Sequence, residues 1–140
     1  MENKIYDFSI LRELRKREDL NIAEWVDIHS EFVPNTEVVN YFCAASVVVQ
    51  PYKTATQSGI TQVAYHFERP IITTNVGGLA EIVINNRDGF VVEPNAKQIA
   101  DAINTFYEKD LESEFESNVR VDKKRFSWDK LLSAIDKVVS

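Results

Sequence analysis

The sequence predicts a doubly wound α/β domain with a parallel sheet, and three observations carry that prediction. Runs of apolar or β-branched residues at 47–49 (Val-Val-Val), 71–74 (Ile-Ile-Thr-Thr) and 90–92 (Phe-Val-Val) are short and do not alternate, as suits strands covered on both faces. Between them lie segments with apolar residues at helical spacing, the crossovers that parallel strands require. All four glycines fall between positions 59 and 89, so the unusual backbone is concentrated where loops leave strands.

In chain order, residues 4–19 read as a helix with Asp7 as its cap and Ile10, Leu11 and Leu14 inward. Its outer face (Arg12, Glu13, Arg15, Lys16, Arg17, Glu18) reads as solvated charge rather than a lipid contact. Residues 23–28 alternate polar and apolar side chains and read as a short strand. A loop follows to Pro34, then a helix capped by Asn35 or Thr36 with Val38, Tyr41, Phe42 and Ala45 as its stripe.

The centre is a βαβ unit. Pro51 ends the 47–49 strand because it lacks an N–H for the ladder. A Ser/Thr loop caps the next helix, whose apolar stripe is Ile60, Val63, Ala64 and Phe67, and Pro70 stops it before the strand at 71–74. Gly77 and Gly78 then lie at that strand's carboxyl end, where ligands sit in open α/β sheets. Beyond them come a short helix (79–84), a turn (85–89) and the last strand (90–92). Asn95 and Gln98 have capping-box spacing for a helix marked by Ile99, Ala102, Ile103 and Phe106. The acidic stretch 108–116 reads as a solvated helix or loop. Ser127 caps a last helix with Trp128, Leu131, Leu132 and Ile135 inward. The tally is four strands and about six helices in one domain spanning 1–140.

Composition narrows the function. A net charge of −6 argues against a nucleic-acid partner. Cys43 is the single cysteine, so no intramolecular disulfide forms and a cytoplasmic setting fits; it reads as a small packed residue. No apolar stretch approaches the length of a membrane span, and the N-terminus does not read as a signal peptide. His29 and His66 lack metal-ligand spacing, and His66 reads as a packing or surface residue. Ser58 lacks the setting of a hydrolase nucleophile. Spacing does not pair Glu24, Asp27, Glu31 or Glu81 into an acid/base set, so no catalytic residue is assigned. The start of the central helix remains. Its free N–H groups and dipole make an anion site, and Gly59 lets a phosphate come close; equally, Thr54, Thr56 and Ser58 cap the helix and Gly59 eases packing.

Several motifs in order carry a resemblance to a known family. Residues 32–35 (Phe-Val-Pro-Asn), 44–52 (Ala-Ala-Ser-Val-Val-Val-Gln-Pro-Tyr), 69–83 (Arg-Pro-Ile-Ile-Thr-Thr-Asn-Val-Gly-Gly-Leu-Ala-Glu-Ile-Val), 88–94 (Asp-Gly-Phe-Val-Val-Glu-Pro) and 126–128 (Phe-Ser-Trp) resemble the donor half of GT-B glycosyltransferases of the family 4 (group 1) type. The resemblance runs from about 25 to 135. It implies a Rossmann-like sheet, a partial C-terminal domain of a GT-B fold, and transfer of a sugar from a nucleotide-sugar donor to an acceptor, with retention and without a bound metal or other cofactor. It assigns the donor diphosphate to Thr54, Thr56, Gln57, Ser58 and Gly59, with the loop from His29 to Val33 near the base and Gly77-Gly78 shaping the neighbouring loop.

The family's donor half begins with two further strands and a glycine-rich turn, and its acceptor half has no counterpart here. The chain is therefore expected to be a piece of such an enzyme, inactive without an N-terminal acceptor-binding half. The complete enzyme would be cytoplasmic or peripheral to the inner face of the membrane. A sheet lacking its first strands is expected to self-associate through an exposed edge. Two glutamates common in the family fall at Ala55 and Val63; a branch of the family has a similar Ala-Thr-Gln-Ser-Gly loop, and Gln57 is a candidate to supply an amide for one carboxylate. Those losses also motivate the alternative, a non-catalytic interaction domain descended from such an enzyme.

Overall fold

The computed structural model describes His29 and residues 31–139. The chain divides into two compact units, residues 1–34 and 35–140. The helix expected over 4–19 and the strand over 23–28 lie outside the described residues. In the second unit the elements are α1 (Asn35–Ala44), β1 (Val48–Gln50), α2 (Gly59–His66), β2 (Ile71–Thr74), α3 (Leu79–Ile82), β3 (Gly89–Val92), α4 (Ala96–Glu108), α5 (Glu112–Asp122), a 3₁₀ turn (Lys123–Phe126) and α6 (Trp128–Val139).

The sheet has the order β1-β2-β3 and is parallel throughout, with Val48 opposite Ile71 and Ile71 opposite Gly89. The middle strand β2 is buried at all four positions. Successive strand residues point to opposite faces, so Ile71 and Ile72 anchor separate cores. Ile71 packs with Ala64, Tyr65, Val83 and Val119, and Ile72 with Ala102, Phe106 and Phe115. Helices thus cover both faces, as the sequence predicts for a doubly wound sheet.

Helix α5 supplies Val119 to one core and Phe115 to the other. The acidic stretch therefore corrects the expectation of a solvated segment. Glu114 is exposed, Glu112 is half-buried and the half-buried Glu116 pairs with Arg69, while Leu111, Phe115 and Val119, four apart, turn one face inward. Phe115 meets the Phe90 ring edge-on at 5.4 Å.

The inward face of α2 also differs from the expected stripe. Its buried residues are Thr61, Ala64 and Tyr65, while Ile60 is 45% exposed. Two long-range hydrogen bonds rotate the helix: Tyr65 Oη donates to Asp88 Oδ2 at 2.7 Å, and Thr61 Oγ1 to Gln50 Oε1 at 2.9 Å. After α2, Glu68 takes a left-handed φ of 60° and pairs with Arg120 and Lys123. Three smaller corrections are exposures: Cys43 is exposed, as is Tyr41 on α1, and Leu132 and Ile135 on α6 face outward. Asn95 caps α4 as predicted, with Gln98 N donating to Asn95 Oδ1 at 3.0 Å, but the box does not close: Gln98 Oε1 reaches past the cap to accept from Glu93 N at 3.0 Å, and Asn95 N donates to Glu93 O.

Candidate functional site

Parallel strands end together, so the loops after β1, β2 and β3 gather along one edge of the sheet. Residues 51–58 connect β1 to α2 there, and Thr54, Thr56, Gln57 and Gly59 are exposed along it. A Cβ built on Gly59 meets nothing within 4 Å, so the first turn of α2 opens on free space. Lys53 supplies the one cationic side chain between residues 51 and 59.

Gly77 and Gly78 brace this loop from the β2 side. Gly77 has φ 53°, and a Cβ on it would sit 1.8 Å from the Ala55 carbonyl oxygen. Gly78 N donates to Thr56 O at 2.9 Å. The pair therefore shapes the neighbouring loop, as the sequence suggests.

Ser58 behaves differently from its neighbours. It is the residue before α2, and its φ of −136° and ψ of 123° are those of an N-cap, yet its side chain makes no cap hydrogen bond. The expected Ser/Thr cap is thus not made. The Ser58 hydroxyl is turned inward, accepting from Gln50 Nε2 at 3.3 Å and lying 3.2 Å from Tyr52 Oη. Gln50 Oε1 in turn accepts from Thr61, and Thr74 Oγ1 donates to Tyr52 O at 2.6 Å. Among the described residues, no acceptor meets the N–H groups of Gly59, Ile60 or Thr61. The outcome is an uncapped, partly positive helix start at the carboxyl edge of the sheet, which suits an anion. Gln50, Tyr52 and Thr61 were not among the predicted site residues. The available signal was a polar Gln closing a valine run and a Thr on the buried side of the helix.

A groove of about 500 Å³ runs beside β3, lined by Asn75, Glu81, Asn85 and Glu93 together with Ile84 and Val91. Two carboxylates there favour hydroxyl groups over phosphates. Among the described residues, no cluster of His, Cys, Asp or Glu has the makings of a metal site, and no helix is long and apolar enough to cross a membrane. His66 is exposed at the end of α2, edge-on to Phe67.

A second polar cluster occupies the opposite edge. Asp88 precedes β3 and is fully buried, with Tyr65 on Oδ2 while Oδ1 has no hydrogen-bond partner. Arg125 Nη2 lies 3.7 Å from Oδ2, and Arg87 Nε lies 3.9 Å from Oδ1 and 2.6 Å from Asp122. Burial pushes the Asp88 carboxyl above its ordinary range and the neighbouring Asp122 adds to this, against the Tyr65 hydrogen bond. Arg87 holds Asp122 below its ordinary range. Burial, then Asp88, holds the Tyr65 phenol above its own. This cluster ties α2, the β3 turn, α5 and the 3₁₀ turn together far from the open loop.

The family model described as glycosyl transferases group 1 matches residues 7–109. An uncharacterized glycosyltransferase of Methanocaldococcus jannaschii is 29% identical over 107 residues, a match covering 73% of this chain and 30% of that protein. Sucrose-phosphate synthase from Thermosynechococcus elongatus superposes with a TM-score of 0.75 at 22% identity, over 94% of this chain and 34% of that one. HepE from Anabaena, solved in complex with UDP-glucose, superposes with a TM-score of 0.71 at 20% identity, over 96% of this chain and 38% of that one. The chain thus spans about a third of the length of the relatives it matches, and it shares the fold of part of each.

Proposed function

This chain belongs to the group 1 glycosyl transferases, and from that premise we propose that it is the nucleotide-sugar-binding part of a GT-B enzyme. Residues 1–140 act as the donor domain, and an acceptor-binding half outside the chain completes the cleft. The observation that carries this reading is the uncapped start of α2 at the carboxyl edge of a parallel sheet, with open space before Gly59. A diphosphate there receives hydrogen bonds from N–H groups that the protein leaves unused, helped by Thr54 and Thr56 and by the charge of Lys53.

The chemistry follows from the same feature. As the bond from the sugar to the diphosphate breaks, negative charge grows on the departing phosphate, and fixed N–H dipoles aimed at it lower the barrier. No metal is needed for that role, and the reaction proceeds with retention. Gln57 offers its amide to the donor where the family often has a carboxylate at position 55. The UDP-glucose bound by HepE is consistent with a nucleotide-sugar donor.

An NMR titration of the chain with UDP, GDP, ADP and their nucleotide sugars tests the reading. Shifts centred on residues 54–59, with one base preferred, support it. Silence across the panel from a folded sample overturns it and favours the interaction-domain alternative.

A further inference from the structure

We infer that Gln50 is a positioning residue that keeps the start of α2 uncapped by holding the Ser58 hydroxyl away from it. The inference rests on the donor reading for its functional part. Ser58 has the backbone of an N-cap and the side chain of one. A serine so placed ordinarily turns its oxygen onto the N–H of the second or third helical residue, here Ile60 or Thr61. In this chain the oxygen instead meets Gln50 Nε2 at 3.3 Å and Tyr52 Oη at 3.2 Å, both beneath the loop.

Gln50 is suited to that task by its own anchoring. It is the last residue of β1, opposite Thr73 of β2, and only 3% exposed. Its carbonyl oxygen is taken by Thr61 Oγ1 at 2.9 Å, which fixes the amide so that its N–H₂ faces Ser58. The same side chain thus joins the strand to the buried face of the helix and draws the cap aside. A glutamine in a buried sheet position costs desolvation, and an apolar residue would pack there without it. The site gains an unoccupied set of N–H groups, so an incoming anion has no serine to displace.

Two readouts separate this from a purely structural role. Amide hydrogen exchange of the free chain reports the cap without any ligand, and UDP binding by calorimetry reports the site. In Gln50→Leu, Ser58 is released. The Ile60 or Thr61 amide should gain protection, and UDP affinity should fall about tenfold, the size of the cap it must displace. Tyr52→Phe, which removes only one phenol oxygen, should show the same change in part and guards against misfolding of the Gln50 variant. Adding Ser58→Ala to Gln50→Leu should abolish the new protection and, because the Ser58 hydroxyl is engaged by Gln50 and Tyr52 and so serves the diphosphate through its backbone alone, restore UDP affinity toward that of the parent chain.

A merely structural Gln50 predicts the opposite, with the double variant no better than the single one. No gain in protection at Ile60 or Thr61 in either variant overturns the inference and leaves the donor reading intact. Protection appearing in Gln50→Leu while the parent chain fails to bind UDP, GDP or ADP overturns the donor reading, and the functional role of Gln50 with it.

Discussion

Asp88 is a buried carboxyl held above its ordinary range. It is fully buried, and its second oxygen has no hydrogen-bond partner. Burial, then the nearby Asp122, oppose its charge, while the Tyr65 hydrogen bond and the Arg125 guanidinium favour it. Because its folded carboxyl is raised, the folded chain holds this proton more tightly than the unfolded chain does. Its contribution to stability is therefore present at low pH and is lost as pH rises through the folded value. Asp88→Asn keeps an oxygen for the Tyr65 hydroxyl and removes the titration. Urea unfolding at steps across the carboxylate range, about pH 4 to 7, should show the variant gaining on the parent as pH rises. A stability difference independent of pH would refute this account. Asp122 and Glu68 act in the other sense. Their carboxyls are lowered, by Arg87 and by Lys123 with Arg120, so the stability they add is present above their unfolded values and is lost on acidification.

At the scale of elements, two glycines in the site do opposite work. Gly77 holds a left-handed φ of 53° with the Ala55 carbonyl where its Cβ would be, whereas Gly59 has open space. Gly77→Ala should therefore push the donor loop off its brace, cost about 1–3 kcal/mol and weaken nucleotide binding. Gly59→Ala should leave the thermal midpoint unchanged or higher, since alanine suits a helix better than glycine, yet weaken binding by placing a methyl group in the phosphate's path. Equal losses of stability in both variants would contradict the geometry. Much of this layer was legible in the sequence where the determinants are local. The bounds of β2, the Asn95 cap on Gln98 N, and the position of residues 54–59 at a strand's carboxyl end all follow from nearby residues. What was hidden depends on distant partners. The rotation of α2 is set by Asp88, 23 residues from Tyr65, and the diversion of Ser58 by Gln50, 8 residues away. The burial of α5 was masked by glutamates around Phe115 and Val119, because acidic composition hides a narrow apolar stripe.

The whole molecule carries apolar surface that its own core does not use. Leu132 and Ile135 on α6 are 56% and 48% exposed, three residues apart and so on one face of that helix. β1 and β3 end the described sheet on either side. Against association stands a net charge of −6 on 140 residues. Repulsion of that kind weakens with salt, within a Debye length of about 8 Å at physiological ionic strength, while burial of apolar surface does not. The chain is therefore expected to self-associate reversibly, more strongly in high salt than in low, and sedimentation across a concentration series measures it. Replacing both side chains, Leu132→Glu with Ile135→Glu, should return a monomer, with stability changed by no more than about 0.5 kcal/mol because the sites are exposed. If association survives that double change, the contact runs through a strand edge, and a charged residue introduced beside β1 should be the change that breaks it. A parent chain that stays monomeric at every concentration and salt would refute both routes.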